Sequence, residues 1–74
     1  MISEEDAVPH IQVNGDRFEL AVGVTLAQVV GTVAPIPRGV AVAVNDEVIP
    51  RAQWGGIALR AGDRIEILTA VQGG

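Results

Sequence analysis

Apolar and polar residues alternate through Ile11-Gln12-Val13, stop at Asn14-Gly15, and alternate again through Arg17-Phe18-Glu19-Leu20. A period of two marks a strand with one covered face. Asn-Gly tolerates the positive φ angles that a two-residue hairpin turn demands. Residues 10–22 therefore read as a two-stranded hairpin. From Thr25 the period changes: Leu26, Val29, Val30 and Val33 fall at i, i+3, i+4 and i+7, one helical stripe. Thr25-Leu26-Ala27-Gln28 has the spacing of a capping box, with Val24 and Val29 at the staple positions. Three valines and Gly31 are poor helix formers, so this short helix depends on packing against a sheet. Pro35-Ile36-Pro37 ends it.

Val40-Ala41-Val42-Ala43-Val44 alternates two apolar residue types, so both faces are apolar and the strand reads as central. Asn45-Asp46 turns the chain into the short strand Glu47-Val48-Ile49, which Pro50 stops, as suits an edge. Residues 51–59 read as irregular. Ala61-Gly62-Asp63 forms a turn before a long last strand, Arg64 to Val71. Strand, strand, helix, strand, short strand, strand is the order of an α+β, ubiquitin-like β-grasp. Its mixed sheet has about five strands, with one main helix on a face and the first and last strands as a parallel central pair. Residues 1–9 read as a flexible acidic leader, 10–71 as the domain and 72–74 as a flexible C-terminal Gly-Gly tail.

Composition narrows the function. Seventy-four residues suffice for one small domain, with little room for a buried active-site cavity. Cysteine is absent, which removes disulfides, thiolate metal sites and a cysteine nucleophile. A single histidine, His10, cannot build a histidine metal centre and reads as a strand-edge residue. Five arginines, no lysine and nine acids give a net charge of −4, against the basic footprint of a nucleic-acid binder. No apolar run approaches the roughly 20 residues of a membrane span, and the N-terminus is unlike a signal peptide. The expected compartment is the cytoplasm. Ser3, the only serine, lies in the leader, so no Ser–His–Asp set is available. The adjacent acids Asp46-Glu47 point to opposite sides of a strand and do not pair for acid–base work.

Gly73-Gly74 stands apart. Glycine is the residue least able to hold a strand or helix, and a tail without Cβ atoms can thread a narrow channel. An α-carboxyl is ionised at neutral pH and is nucleophilic toward an activated phosphate; the acyl phosphate formed is open to sulfur or nitrogen. In the last strand Ile65, Ile67, Thr69 and Val71 share one face, and Arg64, Glu66, Leu68 and Ala70 the other. The second face turns from charged to apolar toward the tail. That leaves two readings for Leu68: a docking patch, or a position covered by helix or loop residues.

Residues 39–74 resemble the ThiS-type sulfur carriers of thiamine biosynthesis, within the ThiS/MoaD superfamily. The resemblance rests on Val-Ala-Val-Ala-Val-Asn closing at Asn45, on Pro50-Arg51-Ala52-Gln53-Trp54, on Gly62-Asp63, and on the terminal Gly73-Gly74. Residues 10–38 match in pattern more than in identity, and 1–9 are not covered. Gln72 departs from the small residue common before Gly-Gly. The resemblance implies that Gly74 carries the chemistry, with Gln72 and Gly73 as its tail and Leu68, Ala70 and Val71 at the partner interface. A ThiF-like E1 adenylyltransferase would use ATP and Mg to adenylate the Gly74 carboxylate. A persulfide sulfur donor would convert it to a thiocarboxylate, and a ThiG-like thiazole synthase would receive the sulfur. The carrier itself would be no enzyme, would bind no cofactor or metal, and would be monomeric when free. Trp54 reads as packing and Arg51 as a surface or loop-bracing cation.

Two alternatives remain open at this point. A MoaD-like small subunit of molybdopterin synthase, or another thiocarboxylate carrier, would use the same Gly74 chemistry for a different acceptor. A passive β-grasp interaction module would use the Leu68 patch and have no need of the tail.

Overall fold

A computed structural model describes residues 8–34 and 39–69. The strands are β1 (His10–Val13), β2 (Asp16–Glu19), β3 (Val40–Val44), β4 (Glu47–Val48) and β5 (Arg64–Thr69), with one α-helix, α1 (Leu26–Val33). They form one five-stranded sheet in the order β2-β1-β5-β3-β4. The β1–β5 pair is parallel, and the β1–β2, β3–β4 and β3–β5 pairs are antiparallel. This is the expected β-grasp, with β1 and β5 parallel at the centre and β4 at an edge. The expected leader, apart from Val8 and Pro9, lies outside the described residues, as do Ala70, Val71 and the tail 72–74.

Both hairpins turn on residues at positive φ. Asn14 and Gly15 have φ of 51° and 86°, and Asn45 and Asp46 have 50° and 71°. Two consecutive positive φ angles make a type I′ turn, whose twist matches that of the strands it joins. Register follows: Ile11 faces Phe18 across the first hairpin, and Ala43 faces Val48 across the second. The Pro9 carbonyl accepts from the Leu20 amide at 2.9 Å, extending the first ladder by one bond.

Helix α1 begins with the expected capping box. The Gln28 amide donates to the Thr25 hydroxyl at 3.3 Å, and the Thr25 amide donates to Gln28 Oε1 at 2.8 Å. Two amides of the first turn are thereby satisfied without the preceding turn a helix interior would supply. Leu26, Val29 and Val30 are buried, but Val33 is 37% exposed. The helix stops at Val33, and the next residue leaves helical geometry (Ala34 φ −131°). Ala34 is buried in place of Val33 as the chain turns away.

One face of the sheet lies under α1. Ile11, Val13, Val42, Ile65 and Ile67 meet the helix residues, and Ile49, Trp54 and Leu59 close the side of the core. Among the described residues no buried side chain is polar or charged. The other face of the sheet is open. Strand β3 is flanked on both sides, as its sequence implies, yet Ala41 is exposed and only Val42 is buried. Its two apolar faces thus have different fates.

The segment read as irregular contains a 3-10 helix, Arg51–Gly56. Pro50 supplies the starting carbonyl, which accepts from the Gln53 amide at 2.9 Å. Trp54 points into the core, 5% exposed, and its Nε1 donates to the Ile49 carbonyl at 2.9 Å. The chain then passes the start of α1, where the Leu26 amide donates to Ile57 and the Leu59 amide to Val24, at 2.9 and 3.3 Å. This connection ties the helix entry to the approach of β5.

Candidate functional site: the open sheet face and the base of the tail

Side chains alternate along β5, so burying Ile65 and Ile67 sends Glu66 and Leu68 to the open face. Leu68 is 69% exposed, so of the two readings the covered one is set aside: no described helix or loop packs over it. The registers place Leu68 beside Ala41 and Glu66 beside Ala43, with Val48 beyond Ala43. Val48 is 73% exposed. Ala41, Ala43, Val48, Glu66 and Leu68 line a shallow hollow of about 110 Å³. Small residues at its floor and branched ones at its rims leave an apolar depression with one carboxylate in it. The exposed Leu68 and Val48 side chains and the alanines between them form one continuous apolar strip on this face. Its position is significant because Leu68 lies at the end of the strand that leads to Gly74.

A second hollow, of about 170 Å³, lies between β2 and α1, lined by Phe18, Val24, Val29 and Thr32 among others. It is two strands removed from β5 in the sheet order.

Asparagine side chains hold strand β5 at its start and at Ile67, a role that sequence reasoning missed. At its start the Arg64 amide donates to Asn45 Oδ1 at 3.0 Å, and Asn45 Nδ2 donates to Asp63 Oδ1 at 3.0 Å. Asp63 Oδ2 also accepts from the Arg60 amide at 2.8 Å, which closes the turn before the strand. Further along, Asn14 Nδ2 donates to the Ile67 carbonyl at 3.2 Å, and the Ile67 amide donates to Asn14 Oδ1 at 2.8 Å. The only sequence signal for either residue is its turn propensity. Nothing local shows that a side chain 53 positions away will meet Ile67.

The charged groups contribute little to holding this face. Arg64 pairs with Asp46 at 2.8 Å, with both side chains more than half exposed; exposed pairs of this kind contribute about 0–1 kcal/mol. Arg51 is exposed at the start of the 3-10 helix, and Trp54 is a packing residue. His10 is half-buried, with Nδ1 3.3 Å from the Val8 carbonyl. Among the described residues no helix is long and apolar enough to cross a membrane. Gln72, Gly73, Gly74, Ala70 and Val71 lie outside the described residues, so of the predicted site residues the structure locates Leu68.

Comparison with known proteins accords with this geometry. The chain is 28% identical over 61 residues to the sulfur carrier protein ThiS of Escherichia coli, covering 82% of this chain and 92% of that protein. It is 29% identical over 62 residues to a thiazole synthase of Paramagnetospirillum magneticum; the match covers 84% of this chain but spans 19% of that protein's length. The crystal structure of the thiamine biosynthesis protein ThiS from Geobacter metallireducens superposes with a TM-score of 0.70 at 22% identity, covering 88% of this chain and 99% of that one. The model of the ThiS family matches residues 11–74, nearly the whole chain. The chain belongs to the ThiS family.

Proposed function

We propose that this protein is a sulfur carrier for formation of the thiamine thiazole, with Gly74 as the carrying residue. The observation that supports this most is the pairing of family membership over residues 11–74 with an uncovered apolar face at the end of β5. The face docks a partner, and the strand beside it aims Gln72-Gly73-Gly74 at that partner's catalytic centre. The carrier contributes a carboxylate and a narrow tail, and the partners contribute the catalytic side chains.

The Gly74 carboxylate attacks the α-phosphorus of ATP, held with Mg by a ThiF-like adenylyltransferase, and pyrophosphate leaves. A persulfide anion attacks the acyl carbon and AMP departs. A thiol then attacks the outer sulfur of the resulting acyl persulfide, leaves as a disulfide, and frees the thiocarboxylate. At a ThiG-like thiazole synthase the thiocarboxylate sulfur adds to an electrophilic substrate carbon, forming a C–S bond; water then cleaves the acyl C–S bond, which leaves the sulfur on the substrate and restores the Gly74 carboxylate.

The test is the intact mass of the protein after incubation with ATP, Mg, a persulfide donor and an E1-like activating enzyme. The expected product is heavier by the difference between sulfur and oxygen, and transfer to thiazole synthase returns it to the starting mass. An unchanged mass, with no pyrophosphate released, would overturn the proposal.

The docking face has its own test. Leu68→Asp places a charge where the partner's apolar surface must sit, at a position too exposed to affect the core. We expect KM for the activating enzyme to rise about tenfold or more, while kcat and melting temperature stay near wild type, since surface substitutions move stability by about 0.5 kcal/mol or less. An unaltered KM would remove this face from the interface.

A further inference from the structure

We propose that Asn14 is a positioning residue for the tail: its side-chain amide splints β5 at Ile67 and sets the direction in which the chain leaves the sheet. The proposal rests on the carrier reading above.

The ladder between β1 and β5 shows how. Gln12 and Val13 pair with Arg64 and Ile65, and the Asn14 amide donates to the Ile65 carbonyl at 2.9 Å. Continued, the ladder would join the Ile67 amide to the Asn14 backbone carbonyl and the Ile67 carbonyl to the amide of residue 16. The backbone does not continue it, because Asn14 and Gly15 turn the chain back at φ of 51° and 86°. The Asn14 side chain takes that place. Nδ2 donates to the Ile67 carbonyl and Oδ1 accepts from the Ile67 amide, so one carboxamide reproduces the donor and acceptor of a peptide group. On the opposite side β3 pairs with β5 from Ile65 to Thr69. The last strand is thus gripped from both sides as far as Ile67 and from one side beyond it.

Two requirements meet at this position. The turn needs a residue that accepts positive φ, which glycine or asparagine does. The splint needs a donor and an acceptor on one short side chain. Glycine meets the first alone, and ionised aspartate would set an oxygen against the Ile67 carbonyl. Gly74 lies seven positions beyond Ile67 in the chain, a reach of at most about 23–25 Å. Asn14 bonds β5 two residues before its last residue, Thr69, and so fixes the origin from which Gly74 must be delivered; about 1 Å of misplacement of reacting atoms can cost roughly a hundredfold in rate. Asn14 therefore acts on the reaction through β5, without touching it.

The experiment compares wild type with Asn14→Gly, which keeps the turn and removes the amide. The assay is ATP–pyrophosphate exchange by an E1-like activating enzyme, with hydrogen exchange at the Ile67 amide measured in parallel. We expect the Ile67 amide to exchange at least about tenfold faster, KM to stay near wild type because the Leu68 face is intact, and kcat to fall about tenfold. Fast Ile67 exchange with unchanged kcat would overturn the positioning role and leave the carrier reading standing. Wild-type protein that drives no exchange, with an enzyme active on its own carrier, would overturn the carrier reading and this role with it. Should Asn14→Gly fail to fold, Asn14→Asp carries the same test. It keeps the acceptor for the Ile67 amide and loses the donor to the Ile67 carbonyl, and should give a kcat below wild type at unchanged KM; wild-type kcat would again overturn the role.

Discussion

Adding a single alanine after Gly74 is expected to abolish thiocarboxylate formation while leaving the melting temperature unchanged. The added residue turns the Gly74 carboxylate into an amide carbonyl and moves the free carboxylate about 3.3–3.6 Å further along. Reacting atoms must come within about 3–3.5 Å in a productive arrangement. One residue therefore shifts the nucleophile by the whole distance over which it must be placed, and the loss should exceed about a hundredfold. The readout is intact mass together with ATP–pyrophosphate exchange. The folded core is remote from the change, so circular dichroism and thermal melting should match wild type. Full activity in the extended protein would mean that the tail is passive, and the exposed Leu68 face would then belong to a binding module.

Replacing Trp54 with alanine should have the largest effect on stability. The indole is 5% exposed and closes one side of the core beside Ile49 and Leu59. Truncating a buried aromatic costs about 3–5 kcal/mol. A domain of this length is stable by roughly 4–11 kcal/mol at about 0.05–0.15 kcal/mol per residue. The variant should melt at least about 15 °C lower. Trp54→Phe keeps most of the volume and removes the bond to the Ile49 carbonyl, a loss of about 1–3 kcal/mol if that oxygen is left unpartnered. Thermal melts of the two variants check the order. Equal and small losses in both would contradict the packing role assigned to the side chain.

The elements that the sequence foretold share one property: their cause is local. Asn14-Gly15 determines a turn by its own backbone preferences, and Thr25 and Gln28 cap a helix from within four residues of each other. Pro50 stops an edge strand for want of an amide. Where the reading went astray, the cause was distant. The 3-10 helix at Arg51–Gly56 has poor local propensity with two glycines, and the buried Trp54 between β4 and β5 anchors it. Val33 satisfied the helical period but fell at the last helical residue, where the core place passed to Ala34. The alternation of valine and alanine in β3 could not show that only one face would be covered, because that depends on where the single helix lies. At the site, Leu68 was legible through its period along β5. The Asn14 splint was not, because each half of it lies in a different third of the chain.

The splint also has a chemical lifetime. An asparagine followed by glycine is open to attack by the next backbone nitrogen on its side-chain amide carbon, with ammonia as the leaving group. The product is aspartate or isoaspartate. At Asn14-Gly15 the atom lost is Nδ2, the donor to the Ile67 carbonyl. Ageing at this one dipeptide would therefore convert a carrier that aims its tail into one of unchanged mass to within a unit but poorer delivery. While both amide atoms are engaged by Ile67, that reaction should run more slowly than in the unfolded chain. Stored protein should lose kcat in the activation assay in step with the acid it gains, and equal deamidation rates for the folded and unfolded chains would show that the bonds give no protection. The same carboxamide that orients the tail thus also measures how long the protein remains fit to use it.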